Sequence, residues 1–475
     1  MFASSASAQI SYVDTSLNGS QKFVLRWKGK PYFMTNIQVR LDKLRYWWGW
    51  NAAMRDSIIA QAASDGFNTV SLPIHWYEVE PTKNNFNWAV LDEYLGLAKK
   101  YGIRVELLWF GANSGGRVQY LGDPNGTSVH LRTPDYVFYA PSPTSQATTS
   151  DYNIVNWTYG NWTLDLTDPA LLAREKYVLG QVMAHIASWN TANGDPRTVV
   201  GVQLGNEVSG PFTSAQIASY YSELGSAVKT SAYSVWTRMN SLPGDLNNRI
   251  NANEALRPNT NIDFVGVDIY GYSTSNVQTV MPWTGLNFRM IMEAGAEQTN
   301  AALMPLAALS GDTAFDYYDM ISQDGHSLYN PTPSGVGATG FTPGNAQRVA
   351  DIRTLNSVLR RAKYDLALNK KQVANTGLYV HNYRGDSTAT TTGVAGVTYT
   401  PNTTTSQAVS VVHSPTEILL INIKGGTFNY PASLGVTSAS NGYYDDNGTW
   451  VSWGNVAFTS TQITPPVGSV VRIVH

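Results

Sequence analysis

Over the first two-thirds of this 475-residue chain, short apolar runs alternate with segments whose apolar residues fall at helical spacing. Repeated strand–helix units of this kind build parallel sheets with the helices outside, which constrains the fold more than any other feature. Phe23-Val24-Leu25-Arg26-Trp27 and Pro31-Tyr32-Phe33-Met34 read as a hairpin through Gly29, the chain entering the main sheet near Asn36. Further strands are expected at Thr69–Pro73, Ile103–Phe110, Val199–Leu204, Ser234–Trp236, Phe264–Tyr270, Phe288–Met292 and Thr313–Met320. Helices are expected from Met54 to Ala63 with a stop at Gly66, and from Leu91 to Tyr101 with a stop at Gly102. Pro169–Trp189, Ser214–Thr230 and Asn345–Leu368 follow the same pattern. Eight strands with intervening helices predict an α/β fold, a (β/α)8 TIM barrel spanning residues 21–371.

Two stretches break the rhythm. Residues 111–167 carry Gly115-Gly116, several prolines, Ser/Thr clusters, Trp157 and Trp162. So long a connection inside a compact domain is functional or disordered, and its aromatics point to an ordered loop that helps form a site. Residues 372–475 are rich in Thr, Ser, Gly and Asn, with strands such as Ile418–Ile423 and Val470–Val474 between closely spaced turn signals. This is the pattern of a C-terminal β-sandwich. Residues 1–20 read as a tail. Its Ala6-Ser7-Ala8 resembles the end of a cleaved secretory signal, although a plain disordered end reads the same way. Sequons at Asn18, Asn125, Asn156, Asn161, Asn402 and Asn447 suit a secreted or periplasmic protein, but also arise freely in Asn/Thr-rich sequence.

Composition removes several function classes. Lys+Arg 32 against Asp+Glu 34 leaves a formal charge of −2, and no basic run offsets it, so nucleic acid is not an expected partner. With no cysteine there is no disulfide, thiol nucleophile or thiolate metal site. The seven histidines form no H-x-H or H-E-x-x-H pair, so neither a metal nor another cofactor is expected. No apolar run is long enough to span a membrane. The 14 tryptophans and 27 tyrosines supply rings suited to sugar faces, although packing is the usual fate of any one of them.

In a (β/α)8 barrel the chemistry sits at the C-terminal ends of the strands. Gly205-Asn206-Glu207 follows the fourth strand, and Glu293, in Met292-Glu293-Ala294-Gly295, follows the seventh. Either carboxylate alone reads equally well as a cap on the next helix. Together they face one another across the barrel mouth, where two carboxylates can flank one bond. Glycoside hydrolysis needs this pair: one group protonates the leaving oxygen, the other attacks the anomeric carbon or activates water against it.

This arrangement resembles the clan A glycoside hydrolases, and the resemblance covers roughly residues 20–370. Gly66-Phe67-Asn68-Thr69-Val70, His75-Trp76, Glu78-Val79-Glu80-Pro81, Phe86-Asn87-Trp88 and Leu91-Asp92 are similar to the second βα unit of the β-galactosidase-like families. Leu108-Trp109-Phe110-Gly111 is similar to the end of their third strand. The resemblance implies a retaining β-glycosidase with Glu207 as acid/base and Glu293 as nucleophile. It further implies that Asn206 contacts the sugar 2-hydroxyl and that Tyr270 holds the nucleophile. Two features depart from the clan pattern. The tryptophan after strand eight is replaced by Asp316-Tyr317-Tyr318-Asp319, and Pro73-Ile74-His75-Trp76 stands where an arginine is common near the end of strand two.

Other residues compete for roles. Glu297 is expected in the helix after strand seven, facing Glu293, as a reserve nucleophile, while Glu106 lies inside strand three and reads as buried and paired. Glu78 and Glu80 are expected to shape the loop after strand two. His75 reads either as a contact to a sugar hydroxyl or as a structural histidine. Trp76, Trp109, Trp157 and Trp162 are possible sugar platforms. The expected partner is a carbohydrate, with a β-galactoside-type oligo- or polysaccharide first. The alternative is a carbohydrate-binding protein on a degenerate barrel, which the presence of both glutamates disfavours. A phosphate-handling barrel would want a strand-end lysine, and none is apparent.

Overall fold

The computed structural model describes residues 9–17, 22–46, 48–112, 118–119, 128–129, 133–138, 151–158, 161–208, 210–271, 273–282, 285–298, 300–321, 327–334, 337–368 and 377–475. Eight parallel strands close into a barrel: β1 (Asn36–Gln38), β2 (Thr69–His75), β3 (Arg104–Phe110), β4 (Val199–Gln203), β5 (Trp236–Ser241), β6 (Phe264–Ile269), β7 (Met290–Ala294) and β8 (Ala314–Tyr317). Closure is made where Asp316 and Tyr317 of β8 pair with Asn36 and Ile37 of β1. Seven of the eight strands overlap their expected spans closely; the fifth, expected at Ser234–Trp236, instead runs on from Trp236 to Ser241, because Thr237, Arg238 and Asn240 break the apolar run. Strands β2 and β6 are buried along their whole length, because the barrel interior covers one face and the helices cover the other.

Local chemistry fixes the helix ends. Helix α1 (Ala52–Ser64) starts at Asn51, whose side chain accepts the Met54 N–H at 3.0 Å. Helix α2 (Ala89–Tyr101) ends at Gly102, whose φ of 62° is the left-handed cap that glycine tolerates best. Helix α3 (Pro169–Ala192) has Asp168 as its cap and proline in its first turn, and α4 (Ser214–Lys229) opens with a Thr213/Gln216 capping box. Then come α5 (Leu246–Ala255), α6 (Met304–Leu309) and α7 (Ala346–Arg361). The single helix expected over 345–368 breaks at Ala362, and its second piece, α8 (Lys363–Leu368), lies against the hairpin strand Lys30–Pro31.

The N-terminal segment differs from a plain tail. Ser11–Asp14 forms a strand antiparallel to Val24–Trp27, and the Ser11 hydroxyl donates to the Val200 carbonyl. Ala6-Ser7-Ala8 lies outside the described residues. In the insertion, Val137, Phe138, Leu164 and Leu166 join the barrel core, and Ile154–Thr158 pairs antiparallel with Asn161–Leu164. Gly115-Gly116 lies outside the described residues.

Beyond residue 377 a six-stranded antiparallel sheet, ordered β9 (Leu378–His381), β10 (Ala408–Ser414), β11 (Glu417–Asn422), β14 (Ser469–Val474), β12 (Ser438–Tyr444) and β13 (Trp450–Asn455), faces a four-stranded one. Val394, Tyr399, Ile418, Leu420, Phe428 and Ile473 pack between the two sheets. On its other face the larger sheet lays Leu378, Val409, Leu419 and Val470 against Leu306, Leu355, Val358 and Leu366 of α6, α7 and α8. The sandwich is therefore seated on the outer helices of the barrel. Among the described residues no helix is long and apolar enough to cross a membrane.

Candidate active site

The barrel mouth gathers side chains from β1 and from β4 to β8. Glu293 is the next-to-last residue of β7 and is 5% exposed. Gln38, ending β1, donates through Nε2 to its Oε1 at 3.1 Å. Tyr270, just past β6, donates its hydroxyl to Glu293 Oε2, and at 38% exposure its ring opens onto the mouth. These two donors replace the water that a buried carboxylate loses. Burial pushes the Glu293 carboxyl up; the Tyr270 and Gln38 bonds and the Arg40 charge oppose that, while the Glu207 charge adds to it.

Glu207 lies four residues past the end of β4, with a φ of 41°. That left-handed backbone is unusual outside glycine and costs about 1–2 kcal/mol. It is held by Asn240 of β5, whose Oδ1 accepts the Glu207 N–H at 2.8 Å. Through Nδ2 the same amide donates to Asn206 Oδ1 at 3.0 Å and to Asp268 Oδ2 at 2.6 Å. Gln203 adds a bond to Asn206 Oδ1 at 3.3 Å. Asp268, in β6, stands directly across the strand register from Glu293. Burial, then the charges of Glu293 and Glu207, holds the Asp268 carboxyl far above its usual range. Crowding of three carboxyls in one buried mouth thus disfavours charge on Asp268, which Asn240 partly offsets by donating to it.

Next to Glu293 the mouth holds a cation. Arg40, just past β1, grips Asp42 with two bonds of 2.9 and 2.7 Å. His75 Nε2 reaches Asp42 Oδ2 at 3.0 Å, and its ring stacks on Phe110 with centroids 4.9 Å apart. Burial works against the Asp42 charge, yet Arg40 and His75 hold its carboxyl well below the usual range. One layer deeper, Arg238 of β5 meets Glu106 at 2.5 Å and Asp316 at 3.6 Å. Trp236 and Ser71 also donate to Glu106, and Asn36 donates to Asp316.

Several expectations need correction. His75, Trp76 and Trp109 are fully buried, so none offers a face to a sugar. His75 steadies Asp42, Trp76 donates to Glu80 at 3.0 Å, and Trp109 donates to Glu175 at 2.8 Å. Each indole N–H is spent on a buried carboxylate, which replaces the water that the N–H loses on burial. Glu297 lies in a turn and not in a helix; its carboxylate folds back over the Cα of Gly295, where a Cβ would meet it at 2.2 Å. Glu78 and Glu80 do shape the segment after β2: Glu78 accepts the His75 N–H and Glu80 accepts the Asn84 N–H. Trp157 and Trp162 sit opposite one another in the insertion ribbon, and their side chains lie outside the described residues.

Sequence reasoning missed Gln38, Arg40, Asn240, Asp268, Asp316 and Arg238. The signal was present: Arg238 and Asn240 in β5 and Asp268 in β6 are polar residues inside strands that are buried along their whole length. In such strands a charged side chain has only the barrel interior to point into. Arg40 supplies, from the end of β1, a guanidinium of the kind found absent at the end of β2. Among the described residues no group of three or more His, Asp or Glu is arranged to hold a metal ion.

The solved structures that this chain is similar to include glycoside hydrolases. No family model matches the sequence, and no curated protein does. An exo-β-1,4-mannosidase from Opitutaceae bacterium strain TAV5 is 15% identical, with a TM-score of 0.47 over 72% of this chain and 61% of that one. A β-galactosidase from Rahnella sp. R3 is 12% identical, with a TM-score of 0.47 over 72% of this chain and 58% of that one. This chain therefore spans about three-fifths of the length of both. Endo-glycoceramidase II from Rhodococcus sp. is 13% identical, with a TM-score of 0.45 over 94% of this chain and 98% of that one.

Proposed function

We propose that this protein is a retaining β-glycoside hydrolase in which Glu293 is the nucleophile and Glu207 the general acid/base. The observation that carries the reading is that both residues stand at one barrel mouth, Asn240 bonding the Glu207 N–H and also Asp268, which lies across the strand register from Glu293. Tyr270 and Gln38 orient both Glu293 oxygens, as attack on an anomeric carbon requires. Asn240 fixes the backbone of Glu207 and presents Asn206 beside it, in the position suited to a sugar 2-hydroxyl. In the first step Glu293 would form a glycosyl–enzyme bond while Glu207 protonates the leaving oxygen; in the second, Glu207 would take a proton from the water that breaks that bond. Retention calls for carboxyl groups about 5–5.5 Å apart. A β-galactoside-type glycan is the first substrate to try, on the resemblance of residues 66–92 to the β-galactosidase-like families. The sequons fit an exported enzyme.

Aryl β-glycosides, galactosides first, then plant, fungal and bacterial polysaccharides, test the reading by released sugar. Glu293→Ala should lose at least ~10^4-fold on every substrate. Glu207→Ala should lose about 10^2- to 10^4-fold on poor leaving groups and far less on good ones. Azide should restore turnover, giving a β-glycosyl azide from Glu207→Ala and the α-anomer from Glu293→Ala. If well-folded protein cleaves no β-glycoside, the binding-protein reading replaces this one.

A further inference from the structure

At the opposite end of the barrel from the mouth, a recess of about 180 Å3 opens between the hairpin strand Lys30–Pro31, the start of β3 and the helices α7 and α8. Four cations line it, Lys30, Arg104, Arg360 and Lys363, against one carboxylate, Asp446. The local charge is thus +3 (four minus one) on a chain whose total is −2. Asp446 is already engaged with Lys363 at 2.5 Å, and Lys30 donates to Asn447 at 2.8 Å.

The two arginines are different. Arg104 lies over the Trp27 ring, 4.1 Å from its centroid, and Trp27 is itself fixed by a 3.1 Å bond to the Arg197 carbonyl. Of the five N–H groups of that guanidinium, one makes a 3.4 Å bond to the Ile103 carbonyl, and no carboxylate pairs with it among the described residues. Its remaining donors are held in a fixed plane by the indole beneath. Burial lowers the Arg104 pKa, the mark of a cation kept partly out of water without an anionic partner. Arg360, exposed on α7, enters the same recess.

We propose that this recess is a binding site for an oxyanion, a phosphate or carboxylate group, held by Arg104 and Arg360 with Lys30 and Lys363 at its rim. A planar guanidinium pre-oriented on an aromatic ring is suited to two-pronged binding of such a group. The site joins the barrel to the sandwich, since Asp446 and Asn447 belong to the turn between β12 and β13. Its ligand would tie the two together.

Titration calorimetry on the full chain, with phosphate and separately with glucuronate against chloride at equal ionic strength, tests the site. Saturable binding of either probe is expected, and which one binds more tightly tells a phosphate ligand from a carboxylate one. Arg360→Gln, on the exposed helix face, should keep the fold and weaken binding about tenfold, and Arg104→Gln should weaken it further. Thermal melting should rise with the bound probe in the wild type and not in Arg360→Gln. Absence of saturable binding by both probes up to tens of millimolar overturns the proposal. So does binding that is unchanged in both folded variants.

Discussion

The two interiors of this chain, barrel and sandwich, are built from opposite materials. Between the sheets of the sandwich lie Val, Leu, Ile, Phe and Tyr side chains, and none of the buried residues described beyond 377 is Asp, Glu, Lys or Arg. Its one buried imidazole, His381, is pushed down to about 3 by burial and sits neutral between Thr391 and Ser410. The barrel interior instead buries Glu106, Asp268, Glu293 and Asp316 together with Arg238. Burying charge costs several kcal/mol per ion, and an apolar replacement of like volume often stabilises a fold. The sandwich takes the apolar solution. That the barrel does not is a reason to regard its charges as serving chemistry.

The contrast can be broken most forcefully at Arg238. Removing this guanidinium by Arg238→Met leaves Glu106 and Asp316 buried without their cation, and about 3–5 kcal/mol of stability should be lost. Leu420→Ala in the sandwich should cost about 2–5 kcal/mol through its cavity, a similar amount from a different cause. Urea unfolding at several pH values separates the two. The Arg238→Met deficit should shrink in acid as Asp316, whose carboxyl burial already pushes up, takes a proton. The Leu420→Ala deficit should stay constant. A pH-independent loss in Arg238→Met would mean that the deeper charges are packing and nothing more.

The same contrast explains how far the sequence could be read. Most barrel strands were legible because burial on both faces leaves apolar runs, the polar fifth strand sharing only Trp236 with its expected span, and Glu207 and Glu293 were legible because they lie at strand ends, where apolar pattern gives way to polar loop. Asp268 and Arg238 were not, since a single charge within a strand reads as an interruption until the barrel shows that several such interruptions meet. Trp76 and Trp109 misled for the complementary reason. A tryptophan next to a strand end looks like a sugar platform, and only the buried partners Glu80 and Glu175 reveal that each ring is packed inward.

Glu175 offers a smaller test, of a buried carboxylate outside the mouth. It accepts from Trp109, from the Ala112 N–H at 3.1 Å and from Tyr220 at 2.6 Å, tying the entry of the insertion to α3 and α4. Burial raises its carboxyl from 4.5 to about 7, the three hydrogen bonds notwithstanding. Its native pKa exceeds its unfolded one, so its contribution to stability is fully present below about pH 4.5 and is lost as pH rises through 7. The loss approaches about 3 kcal/mol above that pH. Glu175→Gln should remove this part of the pH dependence, and melting curves between pH 4 and 9 should show the variant gaining on the wild type at the alkaline end. Parallel curves would show that Glu175 ionises in the folded protein no differently from a carboxylate in water.

The smallest effect compares one backbone device used in both regions. Glu207 at the mouth has φ 41°, and Ala395 in a turn of the sandwich has φ 51°. A side chain in that left-handed region costs about 1–2 kcal/mol, while glycine there gives back about 0.5–1 kcal/mol through the freedom of the unfolded chain. Ala395→Gly should therefore be more stable than the wild type by about 0.5 kcal/mol, the reverse of what glycine does at an ordinary position. At residue 207 the fair pair is Glu207→Gly against Glu207→Ala, since both lose the carboxylate and differ only in tolerance of the angle; glycine should again lead by about 0.5 kcal/mol. Hydrolysis distinguishes the two sites. Ala395→Gly should keep full activity, whereas both changes at 207 should lose it on poor leaving groups. If Glu207→Gly proved less stable than Glu207→Ala, the Asn240 bond to the 207 N–H would not be holding the backbone against its own preference, and the left-handed turn would owe nothing to the placing of an acid.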